Sequence, residues 1–217
     1  YYDKTAIPAL ALADADHEAG LLSDYQSHRI ANAAWTLTEE LETVVDEELS
    51  LGADTAETAE GAQDTSLVAN GILDGVGRKI AVMGTQTQLE DAAAQMVSQA
   101  LRAEGAEVVT LPLRAALPRA LGGFKPETLV IVTLGSTQAS AVALQIRQIR
   151  RRLPGVKIGV AHWSTPDGEA ANAPVPEGPR ADRPDYAAQG MEDLFAQAFG
   201  KLAPASGQGD GSAVAFR

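Results

Sequence analysis

Thr128-Leu-Val-Ile-Val-Thr-Leu134 and, before it, Lys79-Ile-Ala-Val-Met83 decide how this chain folds. Each is a short, nearly unbroken apolar run, the pattern of a strand buried on both faces of a parallel sheet. After the first run come Gly84-Thr-Gln-Thr-Gln88 and a helix predicted from about Leu89 to Ala103. Its apolar face, Leu89, Ala92, Ala93, Met96, Val97, Ala100 and Leu101, is broad enough to cover a sheet. Gly105 ends that helix, and Glu107-Val-Val-Thr-Leu111 reads as a strand closed by Pro112. Arg114 to Leu121 predicts a short helix or turn, interrupted by Pro118 and closed by Gly122-Gly123. After the 128–134 strand, Gly135-Ser-Thr137 turns the chain into a helix from about Gln138 to Leu153. Pro154-Gly155 stops it, and Val156-Lys-Ile-Gly-Val-Ala161 is the next strand.

Strands alternating with crossover helices imply right-handed βαβ units and a parallel sheet. The expectation is therefore an α/β domain over residues 78–163. It is a flavodoxin-like, doubly wound parallel sheet of about four strands in the order 2-1-3-4, with its switch point between strands one and three. A fifth strand belongs to that fold, but residues 164–185 are rich in Pro, Gly, Ala and Asp and show none. The 164–217 segment reads as a Pro/Gly-rich tail with one amphipathic helix near Tyr186–Leu202, disordered from 203 on.

Working towards the N-terminus, residues 1–49 predict an acidic arm of two helices, and 50–77 a flexible linker. The first helix spans Asp3 to about His17. Pro8 inside it marks a kink or a fresh start, and Ile7, Leu10, Ala11 and, more weakly, Asp14 follow helical spacing. Gly20 stops it, and Ser23 is placed to cap a second helix from Asp24 to Leu49, nearly ~40 Å long. Ile30, Ala34, Leu37, Leu41 and Val44 draw one seam along that helix. The seam packs on the first helix or the α/β block, or it serves a homodimer. Asp46-Glu47-Glu48 fall at the predicted C-terminus, the end of the dipole that disfavours acids.

Composition narrows the function classes. With 217 residues, 45 % hydrophobic and only 5 % aromatic, the core must be built of Ala, Val, Leu and Ile. The absence of cysteine rules out disulfides, thiolate metal sites and Cys nucleophiles, and fits a reducing compartment. No apolar run approaches the ~20 residues that span a bilayer. A chain beginning at Tyr1 reads as a piece of a longer one. Residues 1–78 hold 16 acidic and 3 basic side chains, a balance of −13, whereas residues 79–163 hold 5 and 10, a balance of +5. That split argues against nucleic acid as a partner and suggests attraction between the arm and the basic block.

The loops beyond strands one and three, Gly84-Thr85-Gln86-Thr87 and Gly135-Ser136-Thr137, face one crevice and leave helix N-termini open to an anion. Ser and Thr there are also ordinary helix caps. Neither loop carries a dinucleotide or phosphate-loop glycine pattern. His17, His28 and His162 lack metal-ligand spacing, so no metal is expected; His162 closes the fourth strand at the crevice edge and is a candidate ligand contact. Ser136 and His162 have no third partner for hydrolase chemistry, and no catalytic residue is assigned. Arg147, Arg150 and Arg151 share one face of the last crossover helix. They form a solvated face, a contact with the acidic arm, or an attraction to an anionic lipid surface.

The opening Tyr2-Asp-Lys-Thr-Ala-Ile-Pro-Ala-Leu-Ala-Leu-Ala13, with Asp16-His-Glu-Ala-Gly-Leu-Leu22, resembles the cytoplasmic extension after the last membrane helix in long autoinducer-2 exporter-like permeases. Leu89-Glu-Asp-Ala-Ala-Ala-Gln-Met96 and Arg150-Arg-Arg-Leu-Pro-Gly-Val-Lys-Ile-Gly-Val160 are similar to the same extension. The resemblance covers residues 1–49 and 78–163. It implies a piece, itself soluble, on the cytoplasmic side of a bacterial inner membrane, with the rest of the parent membrane protein as partner. The α/β part is also similar in outline to cobalamin-binding domains. Where those carry the cobalt-ligating His, this chain reads Thr85-Gln-Thr-Gln-Leu-Glu90, and no cofactor is expected. The expected function is a non-enzymatic regulatory or interaction domain of a permease. The alternative is a stand-alone domain binding an anion or nucleotide-like ligand in the crevice of Gly84, Thr85, Gly135, Ser136 and His162.

Overall fold

The computed structural model describes residues 1–56, 75–112, 117–165, 174–176 and 178–200; the side chains of residues 44–56 and of Pro118 lie outside that description. Five strands form one sheet: β1 (Lys79–Met83), β2 (Glu107–Leu111), β3 (Thr128–Leu134), β4 (Lys157–Trp163) and β5 (Tyr186–Gln189). Their order is β2-β1-β3-β4-β5 and every pairing is parallel, the flavodoxin-like doubly wound arrangement.

All of β3 is buried, as its continuous apolar run requires. Alternate side chains serve two cores. Ile80, Val82, Val130, Val132, Leu134 and Trp163 face one layer; Ala81, Met83, Leu129, Ile131, Ile158 and Val160 face the other. Helix α3 (Gln88–Ala103) lies on the first face, and α4 (Leu117–Ala120) and α5 (Ala139–Arg152) lie on the second.

The fifth strand is a correction to the sequence reading. Tyr186-Ala-Ala-Gln189, expected to open a helix, instead pairs with β4 from Gly159 to His162. Four residues, two of them Ala, carry too little β signal to be seen without their partner strand. Gly190, with φ of +84°, breaks the chain between β5 and α6 (Met191–Phe199). Gly159 is required here: a Cβ at that position would sit inside the Tyr186 ring.

The arm belongs to the same core. A π-helical turn over Tyr2–Ala6 runs without a break into α1 (Ile7–Glu18), and Pro8 sits in the first turn of α1, where the π turn passes into α-helix. Ile7, Leu10 and Ala11 are buried against the first face, where α1 contacts α3, β3 and β4. Helix α2 (Asp24–Ala56) then packs across α3 and α1. Ser23 and Gln26 cap it reciprocally: Ser23 N donates to Gln26 Oε1 at 2.9 Å and Gln26 N donates to Ser23 Oγ at 3.4 Å. Its buried line is Ser27, Ala31 and Thr38, so the seam is turned by about one position. Ile30, Ala34 and Trp35 are half-buried against the core, and Leu37 and Leu41 are half-exposed at the edge. The helix runs on past Leu49 to Ala56, which places Asp46-Glu47-Glu48 inside it and not at its end. The remainder of the expected linker, 57–74, and the tail from 201 lie outside the described residues.

Among the described residues no helix is long and apolar enough to cross a membrane.

Candidate functional site at the switch point

Strands β1 and β3 send their chains to opposite faces of the sheet, which opens a crevice beyond Met83 and Leu134. Both predicted loops border it, and both are committed to internal contacts. Gly84 is small because α3 begins against it: a Cβ there would lie 2.8 Å from Asp91 N. Thr85 Oγ1 donates to the Val132 carbonyl at 3.0 Å, and Gln145 Nε2 donates to the Gly84 carbonyl at 3.0 Å. Thr87 is the N-cap of α3, accepting from Glu90 N at 3.2 Å. Glu90 closes the capping box, its Oε2 accepting from Gln86 N at 2.6 Å and Thr87 N at 2.9 Å. Across the crevice Thr137 Oγ1 donates to Glu90 Oε1 and accepts from Leu134 N at 3.2 Å. Glu90 therefore ties the two loops together.

A second carboxylate arrives from the arm. Asp14 projects from α1 into the crevice, 1 % exposed, and accepts from the Ser136 hydroxyl and, at 3.4 Å, from the Thr87 hydroxyl. Its placement follows from helical spacing: Ile7, Leu10, Ala11 and Asp14 fall on one stripe, and the apolar three carry the fourth inwards. A helix N-terminus with small hydroxyl residues suits an anion. Here the chain supplies that anion itself.

Burial holds the Glu90 carboxyl above the ordinary carboxylate range, and the Asp14 charge adds to the shift. The Thr137 hydroxyl and the Gln86 and Thr87 N–H groups oppose it without cancelling it.

His162 is not part of this constellation. It follows Ile158 and Val160 onto the second face, opposite α1, and is 4 % exposed. Thr133 Oγ1 donates to the Ala161 carbonyl at 3.2 Å and lies 3.1 Å from His162 Nδ1. With its proton on the carbonyl, the hydroxyl accepts from Nδ1–H, which leaves neutral His162 with Nε2 buried and unpartnered. Burial lowers its pKa. Ser136 and His162 thus serve different faces, and the geometry assembles no nucleophile–base pair from them.

The arginines turn away from the arm. Arg147 makes two hydrogen bonds to Asp182, at 2.9 and 2.7 Å, and Arg150 reaches Asp185 at 3.2 Å and the Arg183 carbonyl at 2.9 Å. Both pin the β4–β5 crossover against α5, and Arg151 stays exposed beside them. The arm meets the block through a different cation, Arg102, 3.5 Å from Glu42. Sequence reasoning missed Asp14 and Glu90. The signals were present, in the apolar stripe leading to Asp14 and in the Thr-x-x-Glu box starting at Thr87.

Among the described residues no group of three His, Asp or Glu side chains is placed to hold a metal ion. No family model matches the chain, and no curated protein matches it.

Proposed function

We infer that this chain is a non-enzymatic regulatory or interaction domain, in which the N-terminal arm is a latch seated in the switch-point crevice. One observation carries the reading: the Asp14 carboxylate is buried where an anionic ligand would sit and takes the Ser136 and Thr87 hydroxyls. An anion entering the crevice must displace Asp14, and displacing Asp14 lifts α1 from the sheet. Crevice occupancy and arm position are then coupled, as regulation requires. The resemblance of Tyr2–Leu22 to the cytoplasmic extension of exporter-like permeases supports placing this latch beside a membrane domain, whose movement would reach the crevice through α1. An open crevice for a freely entering small molecule has less support, because the hydroxyls of Thr85, Thr87, Ser136 and Thr137 are already engaged.

Hydrogen exchange on the full chain with Asp14→Ala tests the latch. Amides of α1 and of 135–137 should lose protection while those of β3 keep it. Unchanged exchange in α1 would refute the coupling. The permease part is tested by the gene: a reading frame encoding no membrane helices before Tyr1 removes it.

A further inference from the structure

Helix α5 covers the second face of the sheet with Val142, Ile146 and Ile149, all buried. At about 100° per residue, Leu144, Gln148 and Arg151 fall opposite that buried line, on the solvent side of the helix. Leu144 stands there 53 % exposed, and Gln148, Arg151 and Arg152 are exposed with it. The helix holds four arginines and no acid. Arg147 and Arg150 are engaged by Asp182 and Asp185, and the charge of Arg151 also reaches Asp182. Two acids thus offset two of the four cations. The turn over Arg180–Asp182, packed against α5, brings exposed Arg180 and Arg183, and α4, on the same face, brings exposed Arg119.

The other side of the molecule has the opposite sign. Residues 1–56, whose helices lie with α3 beyond the first face, hold 12 acidic and 2 basic side chains, a balance of −10. The sheet therefore separates an acidic side from a basic one. With a net charge of −12, the chain is repelled by an anionic surface in most orientations, and the exception is the one that presents α5. An exposed leucine set among cations matches the two demands of a lipid interface. The apolar side chain enters the headgroup boundary, and the guanidinium groups meet anionic headgroups. A soluble anion would satisfy the arginines and leave Leu144 in water; a bilayer surface accommodates both.

We propose that the solvent side of α5 docks on an anionic lipid surface, with Leu144 at the headgroup boundary and Arg151 and Arg152 on the phosphates. Arg119, Arg180 and Arg183 lie at the margin of the contact, and the acidic arm faces away from the bilayer. This docking requires neither the crevice latch nor membrane helices before Tyr1.

The full chain is floated with vesicles of phosphatidylcholine alone and of phosphatidylcholine mixed with phosphatidylserine. Only the anionic vesicles should carry it. Raising salt from about 0.1 M to about 1 M, which shortens the screening length from ~10 Å to ~3 Å, should release it. Arg151→Gln combined with Arg152→Gln removes two exposed cations and leaves the Arg147 and Arg150 bridges in place. It should weaken binding at least roughly tenfold. Leu144→Ser should weaken binding and leave its salt dependence unchanged, and far-ultraviolet circular dichroism matching the native chain shows that both variants keep the fold. Equal binding to neutral vesicles overturns the proposal, as does undiminished binding by the double arginine variant. A chain that stays free of anionic vesicles at low salt overturns it too. Light scattering without lipid covers the other occupant. Assembly at low salt that the arginine substitutions abolish, with no vesicle binding, gives the α5 face to the acidic arm of a second copy and overturns lipid docking.

Discussion

Asp14 and Glu90 show how one residue's neighbours decide what its charge can do. Each is 1 % exposed, yet each sits among hydrogen-bond donors that a buried carboxylate needs. Glu90 carries a pH signature. Its folded pKa is raised, so its contribution to stability is fully present below the unfolded value of 4.5 and is lost as pH rises through the folded one. Glu90→Gln can turn its Oε1 to the Gln86 and Thr87 N–H groups and its amide to the Thr137 hydroxyl, at a cost of about 1 kcal/mol. Urea midpoints taken across this range should fall with rising pH in the native chain relative to Glu90→Gln; parallel curves would show that Glu90 does not titrate there. His162 has the opposite sign. Its folded pKa lies below 6.5, so the stability it contributes is present above 6.5 and lost as pH falls below it. Its ring resonances should keep the neutral-form shift as pH passes down through 6.5. Tyr186 offers a third case, because its hydroxyl is buried without a partner and burial pushes its pKa up. Tyr186→Phe keeps the ring over Gly159 and under Lys157, 4.7 Å from the Nζ, and removes the stranded hydroxyl. It should stabilise the chain by about 1 kcal/mol in chemical denaturation.

At the scale of elements, the ends of helices hold the arm and the sheet in register. Asp3 Oδ1 accepts from Met191 N at 2.7 Å and from Trp163 Nε1 at 2.9 Å, so a residue near the start of the chain caps its last described helix. The other end of α6 is closed by Arg78, which donates to the Phe199 carbonyl at 3.0 Å. Asp3→Ala should cost about 1–2 kcal/mol, the usual worth of a cap, and shift Trp163 emission, because the indole loses its acceptor. An unchanged Trp163 spectrum would count against the bridge. These long-range caps explain what the sequence could and could not reveal. Strands β1 to β4 and helices α3 and α5 announce themselves through local apolar runs and helical periodicity, and the strand order follows from their alternation. Strand β5 does not, because Tyr186–Gln189 is defined by the glycine opposite it. The crevice loops were legible as positions, whereas their occupant was not: nothing local to Gly84–Thr87 or Gly135–Thr137 says that Asp14 fills the space between them. The basic face of α5 was equally visible, and its partners Asp182 and Asp185 lay in a stretch whose folding depends on β5.

For the molecule as a whole, the question is whether the arm is a separate body or part of one cooperative unit. Charge suggested attraction between an acidic arm and a basic block, yet the contact is chiefly apolar. Ile7, Leu10 and Ala11 are buried with Val130, Val132, Leu134 and Trp163 in a single cluster that also includes α3 and α6. Among the described residues, α1 is the element that covers that side of the sheet between α3, which contacts β1 to β3, and α6, which contacts β5. Removing α1 would expose the first face of β3 and β4, so the arm and sheet should unfold together. The two tryptophans provide the test, since Trp35 reports from α2 and Trp163 from the end of β4. In Trp35→Phe and in Trp163→Phe alike, the emission midpoint in urea should coincide with that variant's far-ultraviolet circular dichroism midpoint. Leu10→Ala, which leaves a cavity where α1 meets the sheet, should lower both reporters together by about 2–5 kcal/mol. A Trp35 transition that moves while the Trp163 transition stays in place would show an arm that comes away from an intact sheet. The latch would then open at less cost than the shared core implies.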